Sequence, residues 1–158
     1  MLSISYKNNP NSPGHKNIFV SVPQLNIYKS ADSYYFVLDN QYRPNVESLA
    51  KGIEGLCLLL KNWITWITTV KKGESLFLPF DFSDEYLGGL CLTITQEEMI
   101  ILTIGFTTEA TGWSVSPTSS QKIENIPFII TSEELICTPK ELIDSINISI
   151  DEIRKIIE

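Results

Sequence analysis

The chain has 158 residues, with 12 Lys and Arg against 19 Asp and Glu, for a formal net charge of −7 and a pI near 4.7. Apolar residues make up 43% of it and aromatics 10%, enough to bury a core at this length, which excludes disorder as the default state. So acidic a chain lacks the Lys and Arg needed to displace counterions from duplex nucleic acid, so nucleic acid is not the expected ligand.

The first 17 residues read as a mobile polar leader. Ile18 to Leu25 (IFVSVPQL) and Tyr34 to Leu38 (YYFVL) are β-branched or aromatic runs on either side of Lys29 to Ser33, and they predict two strands, Pro23 placing the first at an edge. Arg43-Pro44-Asn45 stops extended structure. Asn45 then caps a helix whose Val46, Leu49, Ile53, Leu56, Leu60, Ile64 and Ile67 follow helical spacing. With Leu58, Leu59, Trp63 and Trp66 the later part of this helix is apolar nearly all round, which predicts a place in the middle of the fold. Lys71-Lys72-Gly73 ends it.

Ser75 to Phe82 (SLFLPFDF) reads as a short strand broken by Pro79. The clearest hairpin follows: Leu90, Leu92 and Ile94 alternate with Cys91, Thr93 and Thr95, Gln96-Glu97-Glu98 makes the turn, and Met99 to Phe106 returns with Ile100, Leu102 and Ile104 on one face. Gly112 to Pro117 and Phe128 to Thr131 read as further short strands, with a loop at Thr118 to Gln121. Thr138-Pro139-Lys140-Glu141 forms a capping box for a last helix carrying Leu142, Ile146, Ile150, Ile153 and Ile157, with a bend or split expected at Asn147-Ile148-Ser149. No repeat or linker divides the chain. The expected fold class is α+β: a single domain over 1–158, mostly antiparallel sheet with a long central helix and a C-terminal helix.

Charge is unevenly placed. Residues 1–72 carry +4 and 122–158 carry −4, whereas 73–121 contain no Lys or Arg and carry −7 from Glu74, Asp81, Asp84, Glu85, Glu97, Glu98 and Glu109. Facing outward together, these carboxylates would speed encounter with a basic partner and repel nucleic acid; scattered, they would serve solubility. Phe82, Tyr86 and Trp113 lie in the same stretch and read either as core residues or as aromatic anchors within an acidic rim. The expected partner-binding residues are Asp81, Asp84, Glu85, Tyr86, Glu97, Glu98, Glu109 and Trp113.

Catalytic constellations are sparse. Cys57, Cys91 and Cys137 sit in separate apolar runs and, being odd in number, read as buried reduced thiols of a cytoplasmic protein. His15, the only histidine, falls in a polar stretch with Pro10, Pro13 and Gly14, which leaves Ser-His-Asp and Cys-His chemistry with one candidate base and zinc without its usual spacing. Asp81-Phe82-Ser83-Asp84-Glu85 offers oxygen ligands or a carboxylate pair, yet lacks the further ligands, central Gly and terminal Glu of a calcium loop. Gly88-Gly89 precedes a strand rather than a helix, so it marks a turn or a close backbone approach instead of a phosphate cradle. Gly55 to Val70 is interrupted by Lys61 and Asn62 and falls short of the roughly 18 to 20 residues of a membrane span, and the N-terminus lacks a secretory signal. Hence no catalytic residue, metal, cofactor or membrane partner is expected.

Two stretches, Tyr34-Tyr35-Phe36-Val37-Leu38-Asp39-Asn40-Gln41-Tyr42-Arg43-Pro44 and Phe80-Asp81-Phe82-Ser83-Asp84-Glu85-Tyr86-Leu87-Gly88-Gly89, give the chain a general likeness to the immunity proteins of bacterial toxin systems, in particular those of contact-dependent growth inhibition. It resembles them in being a small, acidic α+β domain without a catalytic constellation. The resemblance implies a non-enzymatic protein that binds the toxin domain of its cognate effector, often a nuclease with a basic groove, and blocks it in the cytoplasm. Some members of such families accept a toxin hairpin as an added strand. Two alternatives stay open: an acidic secretion chaperone holding an effector segment, and a small ligand-binding domain or enzyme using Asp81, Asp84 or Glu85.

Overall fold

The computed structural model describes residues 1–8, 16–38 and 48–158. His15 and the expected cap and start of the long helix at Asn45 and Val46 lie outside the described residues. Three strands, β1 (Ser3–Tyr6), β2 (Ile18–Val22) and β3 (Ile27–Ala31), form a small antiparallel sheet in that order. Ser3 to Tyr6, within the expected leader, is a strand because Ile4 and Tyr6 alternate inward to join Ile18, Val20 and Val22 in the core. The second strand stops at Val22, earlier than the expected Leu25. Pro23 starts a single 3₁₀ turn there, closed by the Asn26 N–H on the Pro23 carbonyl at 2.9 Å, and the chain returns as β3.

Tyr34 to Leu38 corrects the sequence reading: it is a short helix, α1, not a strand. Asp32 Oδ1 accepts the Tyr34 N–H at 2.7 Å, and the Ser33 carbonyl accepts from Phe36 at 3.1 Å, so the turn before the aromatic run starts a helix. Helical spacing then buries Tyr35 and Phe36 together and leaves Tyr34 and Leu38, four apart, at the surface. Burial outweighs the β preference of aromatic residues.

The long helix α2 (Ser48–Thr69) is where its periodicity predicts, packed against α1 and, with its partners later in the chain, held in the middle of the molecule. Ile53, Leu56, Leu59, Leu60, Trp63, Trp66 and Ile67 are buried, while Lys61, Thr65 and Thr68 are exposed. Trp66 Nε1 donates to the Ser120 carbonyl at 2.9 Å and Asn62 Nδ2 to the Ser119 carbonyl at 3.1 Å, which ties the 116–121 loop to the helix.

The larger sheet has strands β4 (Ser75–Phe82), β5 (Leu87–Ile94), β6 (Ile100–Thr107), β7 (Ile123–Glu124), β8 (Ile129–Ile130) and β9 (Leu135–Cys137), all pairs antiparallel. The order is β7-β4-β5-β6-β8, with β9 also paired to β6. Pro79 does not break β4. The outer neighbour β7 pairs only with Leu76 and Phe77, so no ladder bond is asked of Pro79 on that side, and a bulge between Pro79 and Asp81 absorbs the irregularity. The expected hairpin is in place. Its register aligns Leu76, Leu92 and Leu102 in one row, Leu78, Leu90 and Ile104 in the next, and Asp81, Gly88 and Phe106 in a third. The first two rows are fully buried. Gly112 to Pro117 is turn rather than strand: the Thr111 carbonyl accepts the N–H groups of both Ser114 and Val115 at 3.1 Å.

Helix α3 (Pro139–Arg154) opens with the expected capping box, the Glu141 N–H on Thr138 Oγ1 at 3.1 Å and the Thr138 N–H on Glu141 Oε2 at 2.8 Å. It runs unbroken through Asn147 to Ser149, because burial of Leu142, Ile146, Ile150 and Ile153 along one face outweighs the weak helix propensity of those residues, while the buried hydroxyls of Ser145 and Ser149 are satisfied by carbonyls of their own helix at 2.7 and 3.0 Å. Ser149 Oγ also accepts the Ile4 N–H at 3.0 Å, fastening α3 to β1. Ile157 lies beyond the helix end and is exposed. The whole is a single small α+β domain with antiparallel sheets. Among the described residues no helix is long and apolar enough to cross a membrane.

Candidate partner-binding site

Three segments distant in sequence meet at one end of β4 and β5. The β4–β5 turn is closed by the Ser83 N–H on the Tyr86 carbonyl at 3.1 Å, and Gly112 reaches it from beyond β6, its N–H on the Ser83 carbonyl at 2.7 Å. Tyr35 of α1 is the third. Asp84 Oδ1 accepts a hydrogen bond from the Tyr35 hydroxyl and a second, at 3.0 Å, from Trp113 Nε1. The Trp113 ring stands edge-on to Tyr35 at 5.3 Å between centroids, and Tyr35 edge-on to Tyr34 at 5.6 Å. Gly112 lies under the Tyr35 ring, where a Cβ would fall 2.6 Å from its Cζ, so this approach requires glycine. Trp113 nevertheless keeps 67% of its surface exposed and Tyr34 keeps 40%.

Burial, then the hydrogen bond and negative charge of Asp84, push the Tyr35 hydroxyl from its ordinary 10 up to about 12. The folded state therefore holds this proton more tightly than the unfolded chain. Tyr35's contribution to stability is complete below about pH 10 and is lost as pH rises from there toward 12. Asp84→Asn is expected to bring Tyr35 back toward 10, readable by ultraviolet titration of the variant against Tyr35→Phe; an unchanged high titration would place the cause outside the Asp84 contact.

Asp81 is half-buried in the third cross-strand row, and Tyr86 donates to its Oδ2 at 3.1 Å while packing edge-on to Phe106 at 6.1 Å. Burial raises the Asp81 carboxyl above the usual carboxylate range, opposed by the Tyr86 hydrogen bond and the charge of Lys29. Burial and Asp81 in turn raise the Tyr86 hydroxyl. Glu85 is exposed on the turn. Glu109 is exposed just past β6, on the same end, because Thr107 is in register with Leu87.

Glu97 and Glu98 are not part of this group. They sit on the β5–β6 turn, where Glu98 adopts a left-handed φ of 63°, and the eight residues of β5 separate that turn from Glu85 by about 25 Å. There Lys72, just outside the cation-free stretch, pairs with Glu98 at 3.3 Å. The acidic stretch is thus two acidic ends, one already neutralised in part. Phe82 is core, 1% exposed and edge-on to Phe36 at 5.6 Å. Comparison with known protein families, curated proteins and solved structures finds no match for the chain.

What remains at the first end is a ridge with Trp113, Tyr34 and Leu38 as exposed apolar surface and Glu85 and Glu109 as flanking carboxylates. Asp84 and Trp113 are legible in the sequence as site residues, whereas the aromatic run of Tyr34 and Tyr35 reads as strand; the one local signal for a helix is Asp32, whose side chain closes a turn on the Tyr34 N–H. Oδ1 of Asp84 is held by two donors, the free thiols of Cys57, Cys91 and Cys137 are buried, and burial pushes the Cys91 thiol up to about 12 and the Cys137 thiol up to about 11. Among the described residues no group of three or more His, Cys, Asp and Glu side chains is placed to hold a metal ion.

Proposed function

We propose that this protein is a cytoplasmic, non-enzymatic immunity protein that binds and neutralises the toxin domain of a contact-dependent growth inhibition effector, a nuclease with a basic substrate groove. The single observation that carries the reading is the Trp113 indole. It is two-thirds exposed, yet fixed in place by Asp84 and Tyr35 and flanked by Glu85 and Glu109 in a stretch without a cation. A rigid exposed aromatic is costly to leave in water unless a partner covers it, and it loses little conformational freedom when covered. Carboxylates beside it suit Lys and Arg on that partner, which a phosphate-binding nuclease groove supplies in number.

The test is co-expression with the C-terminal domain of any large exported protein encoded immediately upstream, followed by growth and co-purification at low and high salt. Survival, with a complex whose affinity falls at least about tenfold from low to high salt, is the expected result. A harmless neighbour, or a complex indifferent to salt, would overturn the reading. A homodimer holding a disordered effector segment would put a secretion chaperone in its place.

A further inference from the structure

The bulge in β4 has a second effect, at the row Asp81, Gly88 and Phe106. The rows before it are filled by three large side chains each, but here the middle position is glycine, and a cavity of about 370 Å³ opens between the outer two. Phe80, Phe106 and Tyr86 supply aromatic surface, Asp81 the only carboxylate, and Lys29 of β3 stands at the lining with an exposed side chain. Tyr86 holds one oxygen of Asp81. Among the described residues no cation lies within ion-pairing distance of Asp81, Lys29 included.

We propose that this cavity receives a guanidinium or ammonium group on a short apolar stem, the side-chain chemistry of an arginine or lysine presented by the protein partner. The proposal rests on the reading that the partner is a basic protein. A half-buried carboxylate with one oxygen unclaimed disfavours an anion outright, and a neutral guest would strip its remaining water without replacing it. A cation completes the pair. Its methylene stem covers the apolar wall, and a planar guanidinium stacks on one of the two rings, Phe106 or Tyr86, which stand edge-on to each other. The volume suits one long side chain and is at the small end of ligand sites. Lys29 opposes such a guest, which fixes the sign of one test.

The probe is butylguanidinium, titrated into the ¹⁵N-labelled full chain at pH 7.5 and low salt, with 1-pentanol and pentanoate as neutral and anionic counterparts. Saturable shifts of the Gly88 and Gly105 amides in the millimolar range are expected with butylguanidinium alone. Asp81→Asn, which keeps an acceptor for Tyr86, should weaken binding about tenfold or more, whereas Lys29→Ala, at an exposed position, should tighten it about twofold to threefold. Shifts equal for pentanol, shifts retained by Asp81→Asn, or no saturation by roughly 50 mM would overturn the proposal. No probe binding beside a toxin complex that survives Asp81→Asn would remove the cavity's role and leave the immunity reading standing. Probe binding without any toxin complex would support the cation site and remove the immunity reading.

Discussion

Replacing Gly89 by alanine is expected to destabilise the domain by about 3 kcal/mol, and replacing Gly105 by a similar amount. These two glycines face each other across β5 and β6. A Cβ on Gly89 would come under 3.0 Å from the Leu78 carbonyl oxygen and 2.9 Å from the Phe77 ring; one on Gly105 would come equally under 3.0 Å from the Ile129 carbonyl oxygen. In each case the obstacle is the backbone of a neighbouring strand, which cannot turn aside as a flexible side chain would. Relief must come from loosening the β4–β5 or the β6–β8 pairing. Against a total stability of about 5–15 kcal/mol this is a large fraction, and for a chain of this length it lowers Tm by roughly 6–12 °C. Because both methyl groups strain the same part of the sheet, the double variant should lose less than the sum. Thermal melts of the singles and the double, with exposed Thr108→Ala as reference, check this; a loss below about 0.5 kcal/mol for either glycine would mean that the strands yield freely there.

The second large effect concerns the two acidic ends. On the proposed immunity reading, Glu85→Lys with Glu109→Lys is expected to weaken toxin binding about a hundredfold, mainly through slower association, and to abolish protection of the cell. Glu97→Lys with Glu98→Lys, the same change of charge, should alter affinity by no more than about threefold, since it acts about 25 Å away, beyond the screening distance at physiological salt. All four side chains are exposed, so Tm should hold for the Glu85/Glu109 variant and fall by only a few degrees for the Glu97/Glu98 variant, which loses the exposed pair of Glu98 with Lys72. Trp113→Ala should cost about 2 kcal/mol or more of binding. Equal loss from both ends in a binding assay would mean that net charge, and not the ridge, governs recognition.

What of the fold is legible in the sequence depends on the range over which each signal acts. The long helix, the β5–β6 hairpin and the Thr138 capping box were legible because each is written in a local period or a spacing of three or four residues. The small strands were not: Ile123-Glu124 is a strand only because Leu76 and Phe77 run beside it, and Leu135 to Cys137 only because β6 does. Tyr34 to Leu38 reads as strand from its aromatic content, but burying the neighbours Tyr35 and Phe36 together on one side required helix. In the candidate site the residue types were legible and the assembly was not. Asp84 is 49 residues from Tyr35 and 29 from Trp113, and no local pattern brings them together. Glu97 and Glu109 illustrate the reverse error, near in sequence yet carried apart by the length of a strand.

The bond from Ile4 to Ser149 spans 145 positions. Closing so long a loop is entropically costly and slow compared with forming α2 or the β5–β6 hairpin, so the small sheet gains its final support only after nearly the whole domain has left the ribosome. Until then Ile4 lacks the helix that completes its backbone bonding. Folding should therefore end with α3 docking on β1, and substitutions at that seam should show themselves mainly in how fast the finished protein comes apart.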